Sequence, residues 1–226
     1  MEKIQLQRVL PNEIEQRSFE IITQELRERG EQDKILPENE LVVKRVIHTT
    51  ADFDYVDSLC ISEGAVAKGI RALQNGACIV TDTQMAKAGI NKRKLAQLGG
   101  EVFCFISDED VAQKAKEQGS TRATASMEKA AALNRPLIFA IGNAPTALVK
   151  LYELIEEGKL KPELIIGVPV GFVNVVEAKE LILQTGVPHI VARGRKGGSN
   201  VAAAICNAML YQIRAIFSHL PAWTWY

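Results

Sequence analysis

The chain has no net charge that would attract a polyanion. Among its 226 residues, Lys plus Arg and Asp plus Glu each number 27, so the formal net charge is zero. No apolar run approaches the ~20 residues that are needed to cross a bilayer. We therefore expect no nucleic-acid partner and no membrane association, and any anionic ligand must be held by local clusters of cations.

Cysteine is scarce, and its spacing is not that of a metal site. The four cysteines stand far apart, and neither C-x-x-C nor H-E-x-x-H occurs, so we expect no metal centre and no cofactor. We interpret Cys60, Cys78, Cys104 and Cys206 as buried thiols in a reducing cytoplasm. Residues 1–16 lack the apolar segment of a signal peptide, which also predicts a cytoplasmic protein.

Motifs of several enzyme classes are missing. The G-x-S-x-G elbow of many Ser–His–Asp hydrolases does not occur, nor does the phosphate-binding loop G-x-x-x-x-G-K-[ST]. The dinucleotide-binding pattern G-x-G-x-x-G is absent as well, so no nucleotide is specified.

The sequence does contain five short apolar runs that alternate with helical patterns. The runs are residues 77–82, 101–106, 135–142, 162–168 and 188–194, and they are apolar at both odd and even positions. The helical patterns are 83–99, interrupted at Gly89, then 108–133, 144–157, 174–185 and 199–217. This alternation predicts an α/β fold with a doubly wound, five-stranded parallel sheet that is buried on both faces.

A mainly helical region precedes the sheet. A first helix is predicted over residues 13–29, with Asn12 as its N-cap and Gly30 just beyond its end. Two further helices are predicted over residues 38–48 and 62–75. Because no flexible linker divides the chain, we expect one domain over 1–226, with residues 1–76 packed on a sheet region of 77–217 and a tail of 218–226.

The turn after the last apolar run, ARGRKGGSN, is the strongest local candidate for ligand binding. Arg195 and Lys196 can donate charge-assisted hydrogen bonds to an anion, and the glycines that follow would let the backbone approach it closely. Ser199 would cap the next helix, whose first N–H groups favour anions. The alternative interpretation is a solvated basic turn with no ligand.

Other runs end in similar turns. Asp82 follows the first run, Asn143 begins the turn GNAPTAL, and GVPVGF follows the fourth run. Ligands of doubly wound sheets bind beyond the carboxyl ends of the strands. Several such turns at one edge therefore favour a wide cleft and a large ligand.

One histidine has a neighbourhood that is typical of a reactive group. His48 lies three residues after Arg45, so the two share a helix face, and Thr49 can donate and accept hydrogen bonds. His48 is thus either an acid/base group or the structural cap of a helix end, and spacing alone does not decide. His189 lies inside a strand and His219 in the tail, so we expect a buried and an exposed residue there.

Seven segments stand out together, in order from about Asn12 to about residue 210: RSFEII, KRVIHTTADFDY, IVTDTQMAKAGI, STRATASM, FAIGNAPTALVKLYELI, GVPVGFVNVVEAKELI and VARGRKGGSNVAAA. Together they resemble the precorrin-8X methylmutase (cobalt-precorrin-8 methylmutase) family of corrin biosynthesis. The tail beyond Phe217 carries no such motif.

The resemblance implies a three-layer, flavodoxin-like fold and a homodimer whose pocket lies near the subunit interface. It implies an isomerase that moves a methyl group from C-11 to C-12 of precorrin-8X or cobalt-precorrin-8 by a 1,5-sigmatropic shift, giving hydrogenobyrinate or cobyrinate. The family's active-site histidine falls on His48, and its ligand-binding positions fall on Arg17, Ser18, Arg45 and Arg122.

We therefore predict His48 as catalytic and a corrinoid as the substrate. The predicted substrate-binding residues are Arg17, Ser18, Arg45, Thr49, Asp82, Arg122, Asn143, Arg195, Lys196 and Ser199. Two other hypotheses remain open: a carrier that holds a tetrapyrrole intermediate, and an enzyme that acts on a phosphorylated metabolite at the Arg195–Lys196 turn. The sequence leaves open whether the substrate carries cobalt.

Overall fold

A six-stranded mixed sheet forms the centre of the molecule. The computed structural model describes residue 6 and residues 8–213. The strands are β1 Leu59–Ile61, β2 Cys78–Thr81, β3 Val102–Phe103, β4 Leu137–Ile141, β5 Leu164–Gly167 and β6 His189–Ala192. Their order is β1-β6-β5-β4-β2-β3, and all neighbours are parallel except β1 and β6.

The prediction of five strands was wrong because it missed the edge strand β1. This strand has only three residues, all half-buried, so it leaves no long apolar run in the sequence. It pairs with β6 in antiparallel register, with Cys60 opposite Val191. The half-burial of Cys60 also corrects one of the four predicted buried thiols; Cys78, Cys104 and Cys206 are buried, and all four are free.

Eleven α-helices surround the sheet within the described residues. They are α1 Ile14–Glu28, α2 Glu40–Thr50, α3 Tyr55–Ser58, α4 Ala65–Gln74, α5 Gln84–Gly89, α6 Lys92–Gln97, α7 Glu109–Glu117, α8 Arg122–Ala131, α9 Pro145–Glu156, α10 Val175–Gln184 and α11 Ser199–Gln212. The predicted end of the last helix, 214–217, lies outside the described residues, as does the tail.

Some of the helix ends and breaks predicted from the sequence are confirmed by the structure, and others were wrong. The first helix is flanked by Glu13 rather than capped by Asn12, whereas Gly30 follows its end with φ +67° as predicted. The interruption near Gly89 is confirmed, since α5 and α6 are separate. The single helix predicted over 108–133 is instead α7 and α8, because Gly119 adopts φ +60° and Thr121 caps α8 by accepting a hydrogen bond from the Thr124 N–H.

Helices cover both faces of the sheet, which gives two apolar layers. On one face, alternate strand residues such as Ile79, Ile138 and Ile190 pack against α2, α4 and α11. On the other face, Val80, Phe139 and Ile165 pack against α8, α9 and α10. Burial of each such side chain contributes roughly 1.5–3 kcal/mol.

A third apolar cluster joins the N-terminal region to this body. Ile22 and Leu26 of α1 pack against Val43 and Ile47 of α2. Because α2 in turn packs along α11, the first helix is held beside the α2–α11 pair. This arrangement creates the groove that contains His48.

Candidate functional site

His48 lies in a groove between α2 and α11. The cavity there has a volume of about 280 Å³ and is lined by Arg45, His48, Thr49, Gly89, Asn200, Ala203, Ala204, Asn207 and Tyr211. Three of the predicted residues thus share one cavity, because positions 45, 48 and 49 fall on one face of α2. The helix ends at Ala51 with φ +53°, and the His48 side chain is exposed in the last turn. We call this space the His48 cavity.

Small residues make one wall of the His48 cavity flat and apolar. Gly89, Ala203 and Ala204 lie where α5 meets α11. A Cβ atom on Gly89 would lie 2.9 Å from the Ala203 Cβ, so only glycine allows this close approach. Asn207 fixes the contact, since its Oδ1 accepts from the Asn91 N–H (2.8 Å) and its Nδ2 donates to the Gly89 carbonyl (2.9 Å).

Two aromatic rings and a carboxylate surround Arg45. The guanidinium carbon lies 4.8 Å from the Phe19 ring centroid and 5.1 Å from that of Tyr211. The Phe19 ring also lies 5.4 Å from the His48 ring, tilted by 34°. Glu15 forms an ion pair with Arg45. Sequence reasoning missed Glu15, Phe19 and Tyr211. The local signal that could have pointed to Glu15 and Phe19 is their four-residue spacing, which puts them on one face of α1.

Arg17 and Ser18 are on α1 but outside this cavity in the described part of the chain. Arg17 Nη1 donates to Glu20 at 3.1 Å, and it lines a separate cavity of about 490 Å³ beside Arg8 and Glu13. Ser18 Oγ donates to the Ile14 carbonyl at 2.9 Å. Both residues remain predicted substrate contacts.

A second group of predicted residues meets at the carboxyl ends of β2 and β4. Asp82, Arg122 and Asn143 line a cavity of about 470 Å³, together with Thr83, Gln84, Ile106, Thr121, Ala123, Ala144, Pro145 and Thr146. Loops from two strands and the start of α8 thus converge there, as the predicted sheet required. We call this space the strand-edge cavity.

Within the strand-edge cavity, Asp82 is committed to the backbone. Its buried carboxylate accepts hydrogen bonds from the N–H groups of Gly142 (2.9 Å), Asn143 (2.8 Å) and Ala144 (2.6 Å). Burial raises the pKa of Asp82, although these three hydrogen bonds oppose the shift. Asp82 therefore fixes the turn that follows β4, and its predicted contact with substrate stays untested.

The Arg195–Lys196 turn is paired with the acidic segment that follows His48. Lys196 Nζ lies 2.7 Å from Asp52 and 2.6 Å from Asp54. Hydrogen bonding to these two carboxylates raises the pKa of Lys196, and the same contact lowers the pKa of Asp52. The two carboxylates thus neutralise Lys196. Arg195 lies over the Phe172 ring, 5.4 Å from its centroid.

Ser199 does not cap α11, which begins at Ser199 itself after Gly198. Its Oγ lies 2.7 Å from the Thr83 Oγ and so joins this loop to the end of β2. The neighbouring glycines bring backbone against backbone: a Cβ atom on Gly142 would lie 2.6 Å from the Ser199 Cα, and one on Gly197 would lie 2.1 Å from the Val168 carbonyl oxygen. The prediction that Ser199 is an N-cap was therefore wrong, and the close backbone packing requires glycine at both positions.

Comparison with known proteins identifies the family. The family model described as precorrin-8X methylmutase matches residues 13–212. The chain belongs to the precorrin-8X methylmutase family. It is therefore a methylmutase, an isomerase of cobalamin biosynthesis.

Individual relatives cover most of the methylmutase chain. The cobalt-precorrin-8 methylmutase of Salmonella typhimurium is 47% identical over 206 residues, covering 90% of this chain and 96% of the relative. That of Priestia megaterium is 46% identical over 201 residues, covering 89% and 88%. The crystal structure of precorrin-8X methylmutase from Thermus thermophilus superimposes with a TM-score of 0.78 at 38% identity, covering 88% and 96%.

The methylmutase also contains a buried lysine that sequence reasoning missed. Lys179 of α10 is fully buried, and its Nζ donates to the carbonyls of Gly194 (2.8 Å) and Lys196 (2.9 Å). Desolvation lowers its pKa to about 8. The available signal was its position on the buried face of α10, beside Val175, Ala178 and Ile182. Lys179 therefore holds the loop that carries Arg195 and Lys196.

The remaining histidines and the acidic residues form no further centre in the described part of the methylmutase. His189 is buried in β6 as predicted, with its Nδ1 3.0 Å from the Val187 carbonyl oxygen, and His219 lies outside the described residues. No cluster of three or more His, Cys, Asp or Glu side chains in residues 6 and 8–213 has the geometry to bind a metal. None of the helices in these ranges has the length and apolar character of a membrane span.

Proposed function

We propose that this methylmutase moves a methyl group from C-11 to C-12 of precorrin-8X or cobalt-precorrin-8, with His48 as the catalytic residue. The product would be hydrogenobyrinate or cobyrinate. The observation that carries the proposal is the His48 cavity, where an imidazole stands beside the flat apolar wall of Gly89, Ala203 and Ala204. A flat macrocycle with polar side chains fits such a wall.

The proposed reaction is an intramolecular rearrangement. The bond between the methyl carbon and C-11 breaks as the bond to C-12 forms, so the transferred atoms stay on the macrocycle and no redox partner is needed. His48 would donate a hydrogen bond or a proton to the ring C nitrogen, drawing electron density from the migrating system. A donor that is already in place stabilises charge as it develops in the transition state.

Arg45 and Thr49 would bind substrate beside His48. Arg45 can pair with a carboxylate on the macrocycle rim, and Thr49 can donate or accept a hydrogen bond. Arg17, Ser18, Arg122, Asn143, Arg195 and Ser199 would contact more distant side chains of the substrate. The pairing of Lys196 with Asp52 and Asp54 disfavours the hypothesis of a phosphate site at this turn.

We also propose that the methylmutase acts as a cytoplasmic homodimer. Drug-sized ligands occupy cavities of about 300–1,000 Å³. The His48 cavity, with about 280 Å³, is small for a corrinoid, so a second subunit would complete the site. The exposed Phe172 (80%) and Val173 (77%) beyond β5 support an interface. Sedimentation equilibrium tests this, and a monomer at micromolar concentration would refute it.

The sheet topology supports a part for the strand-edge cavity in binding the more distant side chains of the substrate. Counted along the chain, the five parallel strands have the order 2-1-3-4-5, which is that of flavodoxin-like, doubly wound sheets. The order reverses between β2 and β4, where the strand-edge cavity lies. Such reversal points are the usual ligand sites of this fold class.

The proposed catalytic role is tested by His48→Ala and His48→Gln. We expect His48→Ala to lower kcat by about 10²–10⁴-fold, since that is the usual contribution of a positioned acid or base. Conversion is followed by the change in corrinoid absorbance, and circular dichroism checks the fold. His48→Gln keeps an N–H donor without an ionisable proton, so it separates hydrogen bonding from protonation. A near-full rate in His48→Ala would remove His48 from the mechanism.

A further inference from the structure

The cation in the His48 cavity has a counterion of its own. Glu15 of α1 pairs with Arg45, whose guanidinium belongs to the cavity wall. Any carboxylate that binds Arg45 must therefore compete with the carboxylate of Glu15. This competition matters because the proposed substrate is rimmed with carboxylates.

The surroundings of Arg45 determine whether Arg45 or Glu15 moves when a ligand carboxylate binds. The Arg45 side chain is only 20% exposed, and the rings of Phe19 and Tyr211 hold its guanidinium at 4.8 and 5.1 Å. Cation–π contacts at these distances hold a guanidinium in place. The Glu15 side chain, in contrast, is 57% exposed and lies in the first turn of α1. Glu15 can rotate into solvent while Arg45 stays where it is.

The neighbouring charges make Glu15 the group that competes most directly. Asp52 and Asp54, the acidic residues that follow α2, are paired with Lys196. Lys94 Nζ lies 5.6 Å from the Tyr211 ring centroid, on the same ring that contacts Arg45. With Glu15 displaced, the cavity would therefore present a positively charged rim to an anionic ligand.

We propose that Glu15 is a displaceable counterion that occupies Arg45 until a substrate carboxylate replaces it. Glu15 thereby restricts binding in the His48 cavity to ligands whose carboxylate can reach Arg45. This inference rests on the proposed function, since it takes Arg45 to bind the macrocycle rim. It makes Glu15 a positioning and specificity residue rather than a catalytic one.

The test is the affinity of Glu15→Gln for cobyrinate, a stable carboxylated corrinoid. Exposed ion pairs are weak, so removing the competing charge should tighten cobyrinate binding by about two- to five-fold. Glu25→Gln is the matched control, because Glu25 lies on the same helix and pairs with Arg29 at 3.8 Å, away from the His48 cavity. A second probe is cobyrinate whose carboxyl groups have been converted to amides, for which Glu15→Gln should bring no gain.

A double variant shows whether Arg45 mediates the gain. In an Arg45→Gln background, Glu15→Gln should no longer tighten cobyrinate binding. Weaker or unchanged binding by Glu15→Gln, while the wild type binds cobyrinate, overturns the counterion role and leaves the proposed function intact. If the wild type and all variants bind neither cobyrinate nor hydrogenobyrinate, the proposed function fails, and the counterion role fails with it.

Discussion

The buried carboxylate of the strand-edge cavity, Asp82, and the polar groups of the His48 cavity have opposite surroundings. At the strand edge, both oxygens of the buried Asp82 carboxylate are taken up by three backbone N–H groups. In the His48 cavity, the His48 and Thr49 side chains are exposed, and Arg45 is paired with the exposed Glu15. The Asp82 carboxylate is therefore fixed inside the protein, whereas the polar groups of the His48 cavity, like the exposed Arg122 and Asn143 of the strand-edge cavity, are accessible to a ligand.

This difference shows how a buried carboxylate and exposed polar groups serve different purposes in one chain. Buried polar groups that are fully hydrogen-bonded fix a loop but cannot bind anything else. Exposed groups with weak partners cost little to redirect. We therefore expect substitution of Asp82 to change mainly stability, and substitutions in the His48 cavity to change mainly binding and turnover.

The largest stability effect is expected for Asp82→Asn. An asparagine offers one acceptor oxygen where the carboxylate offers two, and its NH₂ group would face a backbone donor. The unsatisfied buried donors should cost about 2–3 kcal/mol of unfolding free energy. Urea denaturation measures this loss.

The control for Asp82→Asn is Asp110→Asn. Asp110 also accepts a hydrogen bond, from Lys129 at 2.7 Å, but its side chain is 65% exposed. We expect this variant to lose less than about 1 kcal/mol. Equal losses for the two variants would contradict the inference that burial and the three backbone hydrogen bonds set the cost of Asp82→Asn.

The next largest effect is expected for the buried lysine, and it depends on pH. The pKa of Lys179 is lowered from 10.5 to about 8, so the folded protein loses this proton before the unfolded chain does. Below pH 8 the full cost of burying the ammonium is present. Between pH 8 and 10.5 the unfolded state binds more protons, so stability due to this group rises with pH.

Comparing the wild type with Lys179→Met isolates this contribution. From pH 7.5 to 9.5, the unfolding free energy of the wild type should rise by about 2 kcal/mol relative to the variant. Lys150→Met is the control: a hydrogen bond to Glu153 raises the pKa of Lys150 above 10.5, so its difference from the wild type should stay flat over this range. A flat difference for Lys179→Met would show that its ammonium is not desolvated.

Much of the fold could be predicted because its signals are local. Strands β2, β4, β5 and β6 are continuous apolar runs, and each was located from the sequence. The edge strand β1 was missed because three half-buried residues leave no periodic pattern, and its pairing with β6 joins positions that are far apart along the chain. The helix break at Gly119 was missed because the helical pattern of the sequence continues on both sides of this glycine.

The candidate site could be predicted only where its members share one helix. His48 and Thr49 lie three and four residues after Arg45, about one helical turn, so the shared cavity followed from helix geometry. The contacts of Arg45 with Glu15 and Tyr211 join three helices that meet only in the folded chain. Likewise, no local sequence pattern indicated that Lys196 would pair with Asp52 and Asp54 rather than bind an anionic ligand.

The smallest expected effect is that of Lys196→Met, which removes the link between the two loops beside His48. The carboxylates of Asp52 and Asp54 would lose their common partner, but Asp54 and Lys196 are both largely exposed. We expect a loss of about 0.5–1 kcal/mol in unfolding free energy in low salt. Because salt screens exposed charges, the loss should shrink as ionic strength increases toward 0.5 M, which is about three times the physiological 0.15 M.

The effect of Lys196→Met on KM then shows whether the Arg195–Lys196 turn binds substrate or only joins two loops. Lys129→Met is the control, since Lys129 also bridges two carboxylates, Asp108 and Asp110, but on the opposite side of the sheet from α2. If Lys196 only joins loops, both variants should lose similar stability and keep the wild-type KM. A higher KM in Lys196→Met alone would mean that Lys196 leaves its carboxylates to bind substrate, so the turn would behave like Arg45 and not like Asp82.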